Sequence, residues 1–171
     1  MTSIKHTPWL ERKFNFDFPV THFAFILERL RGTAPRIAEL IREKDEQFLS
    51  RKPGGKWSVK EHIGHLIDLE ELHEGRIDDF MAGKKELRAA DMSNAKTYAA
   101  DHNDLTAAEL LTSFAKGRKH FIGRLEQLDE KLLSVPALHP RLQKQMRPVD
   151  MAYFVAEHDD HHLVLMRKSL D

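Results

Sequence analysis

The residues best equipped for chemistry in this chain are its histidines, eleven among 171 residues, and there is no cysteine. Neutral imidazole is the commonest side-chain metal ligand, whereas the missing thiols exclude disulfides, thiolate metal sites and cysteine nucleophiles. The densest group is Glu157-His158-Asp159-Asp160-His161-His162. Residues four apart on a helix lie about 40° apart around its axis, so His158 and His162 project from one face. Met151, Val155, His158, His162 and Leu165 are spaced as the core-facing stripe of a bundle helix. The two histidines therefore stand where apolar residues normally would. His161 falls off that stripe, and Asp159 and Asp160 are expected to face solvent. A buried ring nitrogen without a partner costs roughly 1–3 kcal/mol. Binding a metal through one nitrogen and hydrogen-bonding the other removes that cost. A hydrogen-bonded structural pair does so too, and this helix alone does not decide between them.

One helix cannot close a ligand set, so the metal reading requires a histidine from across the core. Ser58 and Glu61 form a capping-box pattern that opens a helix carrying His62, His65 and His73. Val59, His62, Leu66, Leu69 and His73 make one stripe, and His65, Leu69 and Leu72 an adjacent one. Periodicity leaves the third ligand as His62 or His65. Glu61 could orient a ring one turn on, but its capping role accounts for it. An H-E-x-x-H protease motif is absent. A di-iron carboxylate bundle needs two E-x-x-H motifs, and Glu70-Glu71-Leu72-His73 supplies only one. His6, His102, His120 and His139 lie in predicted loops or on polar faces and are expected at the surface. His139, with Arg141, is a candidate for leaning over the site, as is Asn94.

The elements that must position these residues read as helices. Phe23, Ile26, Leu27 and Leu30 have helical spacing and stop at Gly32. A second helix starts near Thr33, with Pro35 in its first turn, where proline is tolerated. The capped helix runs from Ser58 to about Met81. Thr106 and Glu109 cap another that reaches about Leu128, and Pro148 opens a last one to about Ser169. Residues 84–103 and 135–147 lack periodicity and read as long connections, which often carry function. Phe14, Phe16 and Phe18 alternate in an N-terminal extended arm. The whole chain, 1–171, is expected to form one all-α domain, a four-helix bundle.

Composition narrows the function. Apolar residues make up 41% and charged residues 32%, a mixture suited to amphipathic helices rather than to disorder. Formal charge is zero, so the basic excess of a nucleic-acid binder is missing. No apolar run reaches the ~20 residues that span a membrane. Met1–Asp17 is polar and interrupted by Pro8, unlike a signal peptide. The expected location is the cytoplasm.

Trp57-Ser58-Val59-Lys60-Glu61-His62-Ile63-Gly64-His65-Leu66 resembles the W-S-x-x-E-x-x-x-H-L signature of DinB-like proteins, which include the YfiT-type metal-dependent hydrolases. Val155 to His162 is similar to the family's C-terminal H-x-x-H-H segment, and Glu28 to Thr33 adds to the likeness. The resemblance implies an up-down-down-up bundle with His65, His158 and His162 as metal ligands, choosing His65 over His62. It also implies a divalent ion, zinc or nickel first, with iron or manganese as alternatives. Some family members are transferases of low-molecular-weight thiols.

Three neutral imidazoles leave a coordination position open, the pattern of a catalytic rather than a structural zinc. The expected function is a metal-dependent hydrolase or thiol S-transferase acting on a small molecule. A non-catalytic metal-binding bundle is the alternative. A homodimer through the aromatic arm is one arrangement, and docking of the arm on its own chain is another. Neither a nucleic acid nor a membrane is expected as a partner.

Overall fold

The computed structural model describes residues 5–170. Asp171 and the first four residues of the Met1–Asp17 segment lie outside that range. Helices α1 (Phe23–Arg31) and α2 (Thr33–Ile41) follow one another across a turn at Gly32 and form the first leg. After the single turn α3 (Glu46–Leu49) comes the second leg, α4 (Val59–Met81). The short α5 (Ala95–Ala99) interrupts the connection to the third leg, α6 (Ala107–Glu126). A turn, α7 (Glu130–Leu133), and a two-stranded ribbon lead to the fourth, α8 (Pro148–Leu170).

Local chemistry sets the helix starts. Ser58 Oγ accepts from the Glu61 amide at 3.0 Å while the Glu61 carboxylate accepts from the Ser58 amide at 2.8 Å. Thr106 and Glu109 repeat the exchange at α6, at 3.2 and 2.8 Å. Each box satisfies two of the amides that a helix start leaves without partners.

Side-chain pairs fix the directions. Arg29 meets Glu157 and Arg36 meets Asp160, so the first leg runs parallel to α8. His62 meets His162, and His65 packs near His158, so α4 opposes α8. Glu70 meets Arg118 and Asp78 meets Arg124, so α4 and α6 run parallel. The result is an up-down-down-up bundle. Parallel α4 and α6 force their connection to travel back along α4, which is why it is long. Arg88 contacts Asp79, Thr97 contacts Asp68, and Asn103 contacts Ser58, in that order. The strap thus has a defined path, although its sequence lacks periodicity.

The 135–147 connection is more regular than expected. β1 (Ala137–His139) and β2 (Lys144–Met146) pair antiparallel, and Leu138 also bonds the strap at Lys85 and Leu87. Phe14 in the N-terminal arm is buried, and Trp9 packs on Phe154 of α8, so the arm docks on its own chain.

The apolar core has two parts. One centres on Ile77, Phe80, Phe121, Leu125 and Met151, the other on Ile37, Ile63, Leu66, Leu110 and Phe114. A polar belt separates them. At its centre Arg118 gives Nε–H to Glu70 at 2.8 Å and both terminal nitrogens to Asp159, whose Oδ2 also accepts from Thr33 Oγ1 at 2.7 Å. One residue from each leg meets there.

This arrangement corrects the expectation for Asp159, which is 0% exposed. Helix α8 packs against the first leg and α4, with Arg118 of α6 reaching it too, so its buried face is wider than one stripe. Val155, Asp159 and Leu163 form a second buried row beside the histidines. Asp160 stays half-exposed, held by Arg29 and Arg36.

Candidate metal centre

The histidines of α4 and α8 meet inside the belt. One nitrogen from each of His65, His158 and His162 lies within 4.8 Å of the other two, and all three rings are buried. His158 Nε2 and His162 Nε2 lie 3.2 Å apart. Ring centroids are 4.5 Å apart for His158 and His162, and 4.8 Å for His65 and His162. Trp57 closes one side, 4.7 Å from the His65 ring, and Trp9 another, 4.8 Å from the His158 ring.

The far side of two rings is held. His65 Nδ1 lies 3.1 Å from Thr97 Oγ1, which itself donates to Asp68 Oδ2 at 2.9 Å. Because the threonine proton goes to Asp68, the imidazole N–H is the donor to Thr97. That places the proton on Nδ1 and the free lone pair on Nε2. His102 Nε2 donates to the same carboxylate oxygen at 2.9 Å. His162 Nδ1 pairs with His62 Nδ1 at 2.9 Å. His158 Nδ1 is buried without a partner among the described residues.

Burial sets the charge state. It holds His62 and His65 down to about 4, and His158 and His162 well below the usual imidazole value, with neighbouring rings adding to the effect. All four are neutral near pH 7. Three converging neutral rings with lone pairs available, two of them braced from behind, have the chemistry of a metal-binding donor set.

The trio opens into a cavity of about 580 Å³. Its walls are largely apolar, from Trp9, Leu69, Leu72, Met92, Phe154 and Leu165, and Arg76, His139 and Arg141 add polar groups. Asn94 lines it as well, in the left-handed backbone region. His161 stands at its edge, half-buried.

Several expectations change here. His102 and His139 are buried at 6% and 2% exposure rather than lying at the surface. Each occupies a connection that packs down on the bundle, where the polarity of the flanking sequence is a poor guide. His6 and His120 are exposed, as expected. Glu61 belongs to the helix cap and to Lys52, not to the His65 ring. His73 is buried against Phe121 and lines the same cavity, but it is not part of the trio. The residues that sequence reasoning missed are Thr97, Asp68 and the inward-facing Arg76. Gly64 was a signal: a Cβ there would lie 2.2 Å from the His102 ring, so a helical glycine marks where the strap approaches α4.

Fold and site together define a helical bundle with a buried histidine triad at the floor of a cavity. The chain belongs to the DinB superfamily, whose family model matches residues 26–166. Among solved structures it is similar to YfiT from Bacillus subtilis, described as "a probable metal-dependent hydrolase with an unusual four-helix bundle topology". That likeness has a TM-score of 0.79 over 92% of this chain and 91% of the other, at 14% sequence identity. Comparison with curated proteins finds no match.

Proposed function

We propose that His65, His158 and His162 hold one divalent cation and that the chain is a metal-dependent enzyme acting on a small molecule, with water or a low-molecular-weight thiol as the nucleophile. The observation that carries this is the convergence of three buried, neutral imidazoles within 4.8 Å at the floor of a substrate-sized cavity. The description of YfiT supports the hydrolase side of the reading. Imidazole donors suit zinc and nickel, and also iron. When bound, the cation supplies Lewis acidity, which favours the deprotonated form of water or a thiol.

The chain's own residues do the rest. Thr97 fixes the His65 tautomer, so that ring needs no rearrangement to present Nε2. His62 holds the outer nitrogen of His162. Trp9 and Trp57 flank the triad with apolar surface and limit the water that reaches it.

Elemental analysis of protein purified without chelators or a histidine tag tests the cation, with one equivalent expected. His158→Ala should lose it while the far-ultraviolet spectrum stays helical. A variant that retains stoichiometric metal overturns the ligand assignment. In a cobalt-substituted sample, added thiols should shift the visible spectrum. A spectrum that no candidate moves favours a structural ion.

A further inference from the structure

We propose that the cavity holds a second subsite, formed by Arg76, His139 and Arg141, that binds an anionic oxygen group, a carboxylate or phosphate, on a substrate whose apolar body lies between it and the histidine triad. The inference rests on the proposed function for what happens at the triad, but its own grounds are separate.

All three residues line the cavity, and among the described residues His139 Nε2, Arg141 Nη2 and the terminal nitrogens of Arg76 have no hydrogen-bond acceptor. His139 is 2% exposed. Its Nδ1 accepts from the Leu142 amide at 3.2 Å, which puts the ring proton on Nε2, and Nε2 is buried without a partner. Burial, reinforced by Arg76 and Arg141, holds this ring down to about 3, so it remains a neutral donor. Arg141 Nη2 is likewise buried and unpartnered. Its guanidinium rests on Trp9 and Phe154, 5.8 and 5.7 Å from the ring centroids. Arg76 is 2% exposed, and its Nε–H goes to the Arg88 carbonyl at 3.2 Å. Among the described residues no carboxylate hydrogen-bonds to Arg76 or Arg141. Asp79, the nearby acid, is taken by Arg88 and Lys84, and Asp91, also on the cavity wall, by Ser93 and the Ala95 amide.

Two guanidiniums and an imidazole N–H, facing one cavity without an acceptor, are costly to leave unpaired. Burial lowers Arg76 to about 10; the charge of Asp79 opposes this without bonding to it, and Arg141 and Arg88 add repulsion. A bidentate oxygen anion satisfies such forks, and that is the group guanidinium recognises best. The apolar wall then excludes ligands that are charged throughout and favours those with an apolar body and one anionic end.

The test uses hexanoate and hexyl phosphate as probes, with hexanol as the neutral control. Binding is followed by calorimetry and by the arginine Nε–H and histidine N–H resonances of the full chain. Saturable binding of either anion, with hexanol much weaker, is expected, and the stronger of the two identifies the head group. Arg141→Met should weaken the anion about tenfold or more while leaving hexanol unchanged. Arg141 makes no side-chain hydrogen bond among the described residues, and methionine can keep its apolar contact with Trp9 and Phe154, so circular dichroism of the variant should match the native chain. Equal binding of hexanol, or native anion affinity in Arg141→Met, overturns the subsite. So does anion binding that vanishes when the folded chain is stripped with chelator, because the anion then sat on a cation. Metal binding measured in the same samples separates the two ideas. Metal without anion binding rejects only the subsite, and anion without metal binding rejects only the triad as a cation site.

Discussion

Thr97→Val isolates the contribution of the strap to the proposed metal centre. Valine keeps the shape of threonine and removes only the hydroxyl that joins His65 Nδ1 to Asp68, at 3.1 and 2.9 Å. With the proposed cation on Nε2, His65 would carry its proton on Nδ1, and that N–H would then face a methyl group in a buried position. An unmet buried donor costs about 1–3 kcal/mol. In the metal-free protein the ring escapes part of this cost by changing tautomer, so the loss falls mainly on the loaded state. Metal affinity should therefore drop roughly 10- to 100-fold, the usual effect of removing an outer partner. Thr97→Ser, which keeps the hydroxyl, should stay near the native value. The assay is a zinc titration against a chromophoric chelator near neutral pH, with circular dichroism to confirm the fold. Native affinity in Thr97→Val would refute the claim that Thr97 sets the tautomer.

Three further outcomes are expected. Arg118→Met leaves the Asp159 and Glu70 carboxylates buried without their cation and should cost about 3–5 kcal/mol in urea unfolding. Adding Asp159→Asn and Glu70→Gln should recover much of this, and no recovery would mean the loss came from packing. Gly64→Ala drives a methyl into the His102 ring, at 2.2 Å from its nearest atoms, so the strap must lift. Faster amide exchange across residues 95–104 should follow, and an unchanged pattern would contradict the close approach. The pH dependence follows from His62 and His65, held to about 4 in the fold against an ordinary value near 6.5. Between these values the unfolded chain binds more protons, so stability rises with pH through that window and is complete above it. Each ring contributes up to about 1.4 kcal/mol per pH unit, and the chelated protein should lose stability on acidification from pH 6.5 toward 4. A flat urea midpoint across that range would mean that the rings are not buried as neutral groups.

What could be read from sequence was local. The two capping boxes, the turn at Gly32 and the shared face of His158 and His162 depend on residues within about one turn of each other, and all are present. The choice between His62 and His65 resisted periodicity for a physical reason: every residue from Ser58 to Leu66 is buried, so no face of that stretch is distinguished by pattern. The resemblance to DinB-like proteins separated them instead, and the structure places His65 in the triad with His62 behind His162. Asp159, His102 and Thr97 were illegible because their partners, Arg118, Asp68 and His65, lie 41, 34 and 32 residues away. A charge in a helix or a histidine in a loop looks solvated until such a partner is known.

The return path between α4 and α6 also bears on how this scaffold can change. The segment is required by topology, because two parallel helices cannot be joined by a tight turn. Having to be there, it carries the hydroxyl and imidazole that brace His65. Selection can thus retune the histidine floor by editing a linker, without touching a single packed residue of the four legs.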